Sequence, residues 1–310
     1  MKRLEGILWI LLASVFFAAM GAMTKQAVPN CGTAAIILSR SLVVAVIAFG
    51  ILRATKTSMQ PGNLRLIFLR SLGGLMAMSC FFWSLGQLQL GAATTLLYTS
   101  PLFTVLLAGL VLGEKTHKGT IPLTMVAFAG IGLIIQPETK GSMLGLAAAL
   151  GAGIFAAMAR MAVRSLRHSD PPARIVFYFS LIAAGGSLPF ALGLIPGLDT
   201  APTPAAVSDN LHWLLGIGVS GAIGQLTMTQ AYRVEQANIV SPFSYATVLL
   251  SYVLGLWFWD ERLTWASGTG MALVVLSGAL LSRSADAKTP PTKEQEPQQQ
   301  EEPPTPALGS

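Results

Sequence analysis

The chain has 310 residues, 53% of them hydrophobic and only 11% charged, with a mean hydropathy of +0.61. A soluble domain carries about 25% charged residues, so a water-soluble globule of this size is excluded and the lipid bilayer becomes the expected surroundings. The formal charge of +6 is scattered between apolar runs, with no compact basic patch and interleaved aromatics, which argues against nucleic acid as a partner.

A membrane-crossing helix needs about 20 mostly apolar residues, and about ten stretches qualify. They lie near residues 5–23, 33–52, 66–86, 91–112, 119–136, 142–160, 174–194, 211–231, 236–258 and 264–282. The runs lack the polar–apolar alternation of a membrane barrel, so the expected class is an all-α integral membrane protein. The first stretch follows Lys2 and Arg3 and ends in small residues, which is also the build of a signal peptide. Its Phe17-Ala18-Ala19-Met20 recurs as Phe155-Ala156-Ala157-Met158 in the sixth stretch, which favours a retained span. The second stretch contains Arg40 and the third Arg70. The fourth, LLYTSPLFTVLLAGLVLGEK over 96–115, is interrupted by Pro101 and stops at Gly113-Glu114-Lys115. After Ser282 the chain is rich in Pro, Gln and Glu with few large apolar residues, so residues 284–310 are expected to be a disordered tail. Cys31 and Cys80 show neither metal spacing nor a disulfide framework, and no metal is expected.

Lysine and arginine counts set the orientation. With the N-terminus in the cytoplasm, the inner segments hold Lys2, Arg3, Arg53, Lys56, Arg65, Lys115, Lys118, Arg160, Arg164, Arg167, Arg174, Arg233, Arg283, Lys288 and Lys293. The outer segments hold only Lys25, Lys140 and Arg262. Both termini are therefore expected on the cytoplasmic side of a multi-pass protein of the inner (plasma) membrane. Trp83, Trp213, Trp257, Trp259 and Trp265 fall near outer span ends, as an interfacial aromatic belt would.

Residues 236–262, QANIVSPFSYATVLLSYVLGLWFWDER, repeat the fourth stretch. Tyr98 matches Tyr245, Glu114 matches Glu261 and Lys115 matches Arg262; 245−98, 261−114 and 262−115 each give 147. Two halves of five spans follow, 1–140 and 141–283. Since five is odd, the second half is inverted relative to the first, the arrangement of many secondary transporters.

Ser100-Pro101 with Gly113-Glu114-Lys115, and Ser241-Pro242 with Asp260-Glu261-Arg262, resemble the drug/metabolite transporter superfamily, EamA group. Ala-rich first and sixth spans and Arg40 in the second add to the resemblance, which covers nearly all of residues 5–282. Residues around the third span, LRSLGGLMAMSCFFWSLGQLQLGAATTLLYTSP, are more weakly similar to the subgroup of S-adenosylmethionine-type carriers. The resemblance implies ten helices in two inverted repeats, a cavity between them, transport of a small organic molecule and no prosthetic group. In one respect the halves differ: Pro101 pairs with Val248, six positions after Pro242.

An ionisable side chain inside the bilayer costs at least about 2.5–3.5 kcal/mol, so Arg40 is expected to face the interior. There its planar fork either attracts a substrate carboxylate or phosphate, or pairs with helix carbonyls or a neighbouring Glu. Arg70, nearer a span end, is expected to snorkel to the interface. Tyr98, Thr99 and Ser100 with Pro101, and Ser241, Ser244 and Tyr245 with Pro242, form polar groups around helix interruptions. A proline frees a backbone carbonyl, and nearby hydroxyls either repair that loss or bind a substrate. Gln225, Gln230 and Trp83 are further substrate-binding candidates, although a membrane Gln also bridges helices. Glu114 and Glu261 are expected to be gate or helix-end residues paired with adjacent cations. The glycine pairs at 73–74, 130–132, 216–218 and 268–270 are expected to permit close helix packing.

No Ser–His pair, HExxH or P-loop occurs, so no catalytic residues and no enzyme are expected. The leading reading is a secondary transporter of a small polar metabolite, an amino acid or related compound, with export slightly favoured. Uptake of a nucleoside- or S-adenosylmethionine-like compound is the alternative. An intramembrane enzyme and a non-transporting scaffold are the other classes, and a homodimer is one assembly the sequence allows.

Overall fold

The computed structural model describes residues 2–100, 102–104, 120–138, 142–166, 169–195, 202–235, 240–262 and 264–286. Among them every regular element is helical: α1 (Lys2–Ala54), α2 (Leu64–Leu85), α3 (Leu90–Leu97), α4 (Thr120–Glu138), α5 (Met143–Leu166), α6 (Pro172–Ala191), α7 (Pro204–Asp209), α8 (Leu211–Val234), α9 (Ala246–Trp259) and α10 (Trp265–Asp286). A 3-10 turn, Ser241–Tyr245, precedes α9. Exposed apolar side chains such as Leu8, Val46, Met125, Leu144, Leu215 and Leu256 ring the outside, a surface that lipid and not water must cover.

The first two predicted spans form one element, with no loop where one was expected at 24–32. Helical hydrogen bonding runs on to Gly32, whose φ of 67° and ψ of 157° break it. Glycine takes that backbone without strain, and Pro29 has already removed a donor from the same turn. There α1 doubles back. Arg40 Nε lies 3.5 Å from Met20 Sδ, 20 residues away, a separation that would span about 30 Å of straight helix.

Both arms of α1 rest on α8, where Gly224 accepts Phe17, Gly221 accepts Met20 and Gly218 accepts Val43. α2 runs along α5 through Gly73, and α4 crosses α10 where a Cβ at Gly130 would come within 2.7 Å of the Gly270 carbonyl. Of the glycines expected to permit close packing, Gly73, Gly130, Gly218 and Gly270 do so, whereas Gly132 has open space around it. Short α7 falls in the 195–210 connection, where no helix was expected. Thr203 caps it, accepting from Ala206 N, and Pro204 opens its first turn.

At one end of the bundle the α1–α2 connection is tied to the α5–α6 connection through buried Asp170. Gly62 N donates to Asp170 Oδ1 at 3.0 Å, Ser169 Oγ to Oδ2 at 2.8 Å and Arg174 Nη1 to Oδ1 at 3.1 Å. Arg174 Nε also donates to Ser58 O at 2.9 Å, and Tyr178 OH to Met59 O at 2.8 Å. Burial pushes the Asp170 carboxyl up, but these donors and the guanidinium outweigh it and hold the carboxyl below its ordinary value. A carboxyl lowered by folding stabilises the fold above its unfolded pKa and ceases to as pH falls through the folded one. Asp170→Asn is therefore expected to cost about 3 kcal/mol near pH 7, with the gap to wild type closing below about pH 4. Thermal unfolding of the purified protein across that range checks this, and a pH-independent gap would show that the charge is not what holds the connection.

Candidate functional site

The two tyrosines related by the internal repeat meet. α3 ends at Tyr98, whose OH donates to Thr247 Oγ1 at 2.9 Å, and its ring centroid lies 5.9 Å from that of Tyr245. Arg160 reaches over the Tyr98 ring from α5, with Cζ 5.9 Å from the centroid. Tyr245 OH is buried with no hydrogen-bond partner, as is Ser100 Oγ. Ser244 is buried in the same 3-10 turn, which Ser241 and Pro242 open. Thr99 has a different task. Its Oγ1 donates to Leu96 O at 2.6 Å, and Thr104 Oγ1 donates to Ser100 O at 2.8 Å. These hydroxyls satisfy helix carbonyls beside the proline position, as a water-free interior requires. Pro101 and Glu114 themselves lie outside the described residues.

Arg40 belongs to a second cluster. It is 2% exposed, and Arg70 on α2 is 5% exposed. The snorkelling expected of Arg70 does not occur. Its guanidinium lies over Phe179 of α6, with Cζ 4.2 Å from the ring centroid, and Arg40 Cζ lies 5.8 Å from the same centroid. Two glycines make the room. A Cβ at Gly74 would collide with Arg70 Nη1 and the Phe179 ring, and one at Gly221 would sit 2.7 Å from Arg40 Nε. Gly74 is one helical turn beyond Arg70, so the slot was latent in the sequence, whereas Phe179 arrives from a distant helix and could not be read there.

The glutamine candidates separate. Gln225 is buried on α8 one turn past Gly221. Gln230 lines a crevice of 480 Å³ with Trp9, Thr55, Pro171, Thr227 and Arg233. Neither Tyr98 nor Arg40 lines it. Trp83 is half-buried on α2 and joins neither cluster.

Glu261 was expected to pair with an adjacent cation. Instead its Oε1 takes Lys25 Nζ at 2.8 Å, from the first arm of α1. The same carboxylate accepts from Leu90 N, at 2.8 Å to Oε1 and 3.0 Å to Oε2. Leu90 opens α3, whose N-cap Gln89 makes no side-chain cap. Glu261 therefore supplies in trans the anion that a helix N-terminus favours. Lys25 Nζ also donates to Leu88 O at 2.6 Å and lies 5.7 Å from the Trp259 ring centroid. The turn that aims Glu261 inward is left-handed at Asp260 (φ 49°), with Glu261 N donating to Gly255 O at 3.2 Å. Lys25 was missed as a partner because no local spacing links residues so far apart.

The EamA-like transporter family model matches this chain twice, over residues 4–136 and 143–283. The pseudopaline exporter CntI of Pseudomonas aeruginosa is 28% identical over 287 residues, 90% of this chain and 96% of that protein. The S-adenosylmethionine uptake transporter of Rickettsia prowazekii is 22% identical over 259 residues, 83% of this chain and 85% of that one. A solved crystal structure, 17% identical, superposes with a TM-score of 0.60 over 93% of this chain and 98% of its own, a likeness of fold alone. With one family model covering nearly all of both halves, and relatives that are transporters and not enzymes, the chain belongs to the EamA-like transporter family of integral membrane proteins.

Proposed function

We propose that this protein is a secondary transporter that exports a small polar metabolite, an amino acid or related compound, across the inner membrane by alternating access. One observation carries the reading. The Lys25–Glu261–Leu90 tie closes one end of the bundle, while the 480 Å³ crevice around Gln230 opens at the other. The floor of the crevice at Leu226 is five residues along α8 from Gly221, about 7.5 Å from the layer that holds Arg40.

In this reading the halves 1–140 and 141–283 are inverted five-span repeats, with both termini and the crevice cytoplasmic and the tie on the outer face. The double family match and the meeting of Tyr98 with Tyr245 support that arrangement. Lysine and arginine distribution supports the orientation. Tyr98, Ser100, Ser244 and Tyr245 then wall the substrate path from both halves, and Gln225 and Gln230 mark the way in. The name of the exporter from Pseudomonas supports outward transport. Uptake of an S-adenosylmethionine-like compound is the second reading, supported by the Rickettsia relative.

Counterflow in proteoliposomes tests the class: saturable exchange of a polar metabolite is expected, and its absence across all metabolite classes would sink the proposal. The gate has its own test. Glu261→Ala removes both the ion pair and the acceptor at the start of α3, whereas Lys25→Met removes the pair and the bond to Leu88 O but leaves that acceptor in place. Glu261→Ala is expected to lower flux by about tenfold or more, equivalent to about 1.4 kcal/mol on the conformational equilibrium, and Lys25→Met by less. Labelling of a cysteine placed beside Leu88 is expected to speed up in the same order; unchanged labelling in both variants would remove the tie from the gate.

A further inference from the structure

We propose that Arg40 and Arg70 form one binding site for a small organic dianion, a dicarboxylate or a phosphate monoester. Both guanidiniums are buried in the middle of the bundle and both approach Phe179, at 5.8 and 4.2 Å. Those two distances bound the Cζ–Cζ separation at about 10 Å, within reach of the two ends of one small molecule. Among the described residues no acid forms an ion pair with either cation. The described acidic residues, Glu5, Glu138, Asp170, Asp209, Glu235, Asp260, Glu261 and Asp286, stand in connections or at helix ends, and Glu261 and Asp170 pair with Lys25 and Arg174.

Donors are left over as well. Arg40 Nη1 and Arg70 Nε are buried with no hydrogen-bond partner, and so are Ser41 Oγ and Ser71 Oγ, each next in the chain to one of the arginines. The one hydrogen bond found for Arg40 goes to the Met20 thioether, a weak acceptor. Two like charges so placed repel each other and forgo hydration, and unpaired buried polar groups are costly. The packing holds them there regardless, since Gly74 and Gly221 are shaped around the two side chains. Such an arrangement is what an incoming anion satisfies, because carboxylate and phosphate oxygens match the guanidinium fork in charge and geometry. A ligand of charge −2 cancels both cations, while a monoanion leaves one bare.

This inference rests on the transport reading for its claim that the dianion is the cargo; binding itself does not depend on it. Calorimetry on the purified full-length protein, with succinate, glutarate and glycerol 3-phosphate as dianions, is the test. Acetate, a monoanion, and choline, a cation, are the controls. Saturable binding of one dianion class is expected, with controls weaker by about tenfold or more. Arg40→Gln and Arg70→Gln are each expected to weaken it by a similar factor. Gly74→Ala keeps both charges but displaces Arg70 from Phe179, and is expected to weaken binding too. If wild type binds no dianion, or prefers acetate or choline, the site is wrong, and that outcome needs no variant to fold. The two readings fail separately. Dianion binding without counterflow of any metabolite overturns transport and leaves the site standing. Counterflow of a neutral compound that survives Arg40→Gln overturns the site and leaves transport standing.

Discussion

The interior of a bilayer contains no water to satisfy a backbone N–H, a carbonyl or a charge, so every such group buried there must find its partner inside the protein. Apart from a few groups around Arg40, Arg70 and Tyr245, the described chain meets this demand with helices and with side chains that fold back on them. Ser14, Thr24, Thr94, Thr95, Ser180, Ser187 and Thr229 each donate to the carbonyl four residues earlier. Serine and threonine hydroxyls are thereby hidden at no cost in unsatisfied groups. Where a helix begins inside the protein, as α3 does at Leu90, its free N–H needs an acceptor from elsewhere, and Glu261 is brought across the structure to provide one. The Lys25–Glu261–Leu90 tie is thus a consequence of helix termini as much as of charge.

The same demand explains which features could be read from the amino-acid sequence. Apolar runs of span length predicted α2, α5, α6 and α8 closely, because a span is a local property. Thr203-Pro204 was an equally local signal for α7, and it was overlooked because loop composition surrounded it. The helical passage from α1's first arm to its second was hidden for another reason. Pro29 and Gly32 read as a loop, yet the first is tolerated within the helix and only the second breaks it. Arg70 and Glu261 escaped because their partners come from remote elements. Snorkelling is the default for an arginine near a span end, and only the joint presence of the Gly74 slot and the Phe179 ring makes burial the better outcome. The tryptophans divide in a similar way: Trp257 and Trp265 are exposed as a belt requires, whereas Trp259 is partly buried beside Lys25.

The repeat was legible as a fixed offset, and the structure gives that offset a meaning for one pair and a limit for another. Tyr98 and Tyr245 occupy matching positions and meet as tilted rings with centroids 5.9 Å apart, but their hydroxyls differ, since Tyr98 donates to Thr247 and Tyr245 to nothing. Prolines break the register further. Pro242 lies six positions before Val248, the offset match of Pro101, and a 3-10 turn at Ser241–Tyr245 precedes α9. A 3-10 segment shifts hydrogen bonding from four residues to three, which accommodates a missing donor near the start of a helix. The 3-10 start thus places Pro242 ahead of α9 while Tyr245 still meets the Tyr98 ring.

Charge is distributed unevenly between the two polar layers, and that difference has consequences for a transport cycle. At Lys25 and Glu261 the charges cancel, and breaking the pair re-exposes ions whose desolvation cost several kcal/mol each. Opening that end therefore requires water to enter as the ions part. At Arg40 and Arg70 nothing cancels the charge among the described residues, so an empty site holds two unneutralised cations in a low-dielectric interior. An anion bound there lowers the energy of the occupied bundle relative to the empty one. In the proposed cycle this difference favours conversion with cargo aboard over conversion without it, because moving bare cations through an occluded, dehydrated state is the costlier path. Such a bias would couple occupancy to gating without any acidic proton or sodium handle, and it places the exchange of one anion for another within what this arrangement of side chains can do.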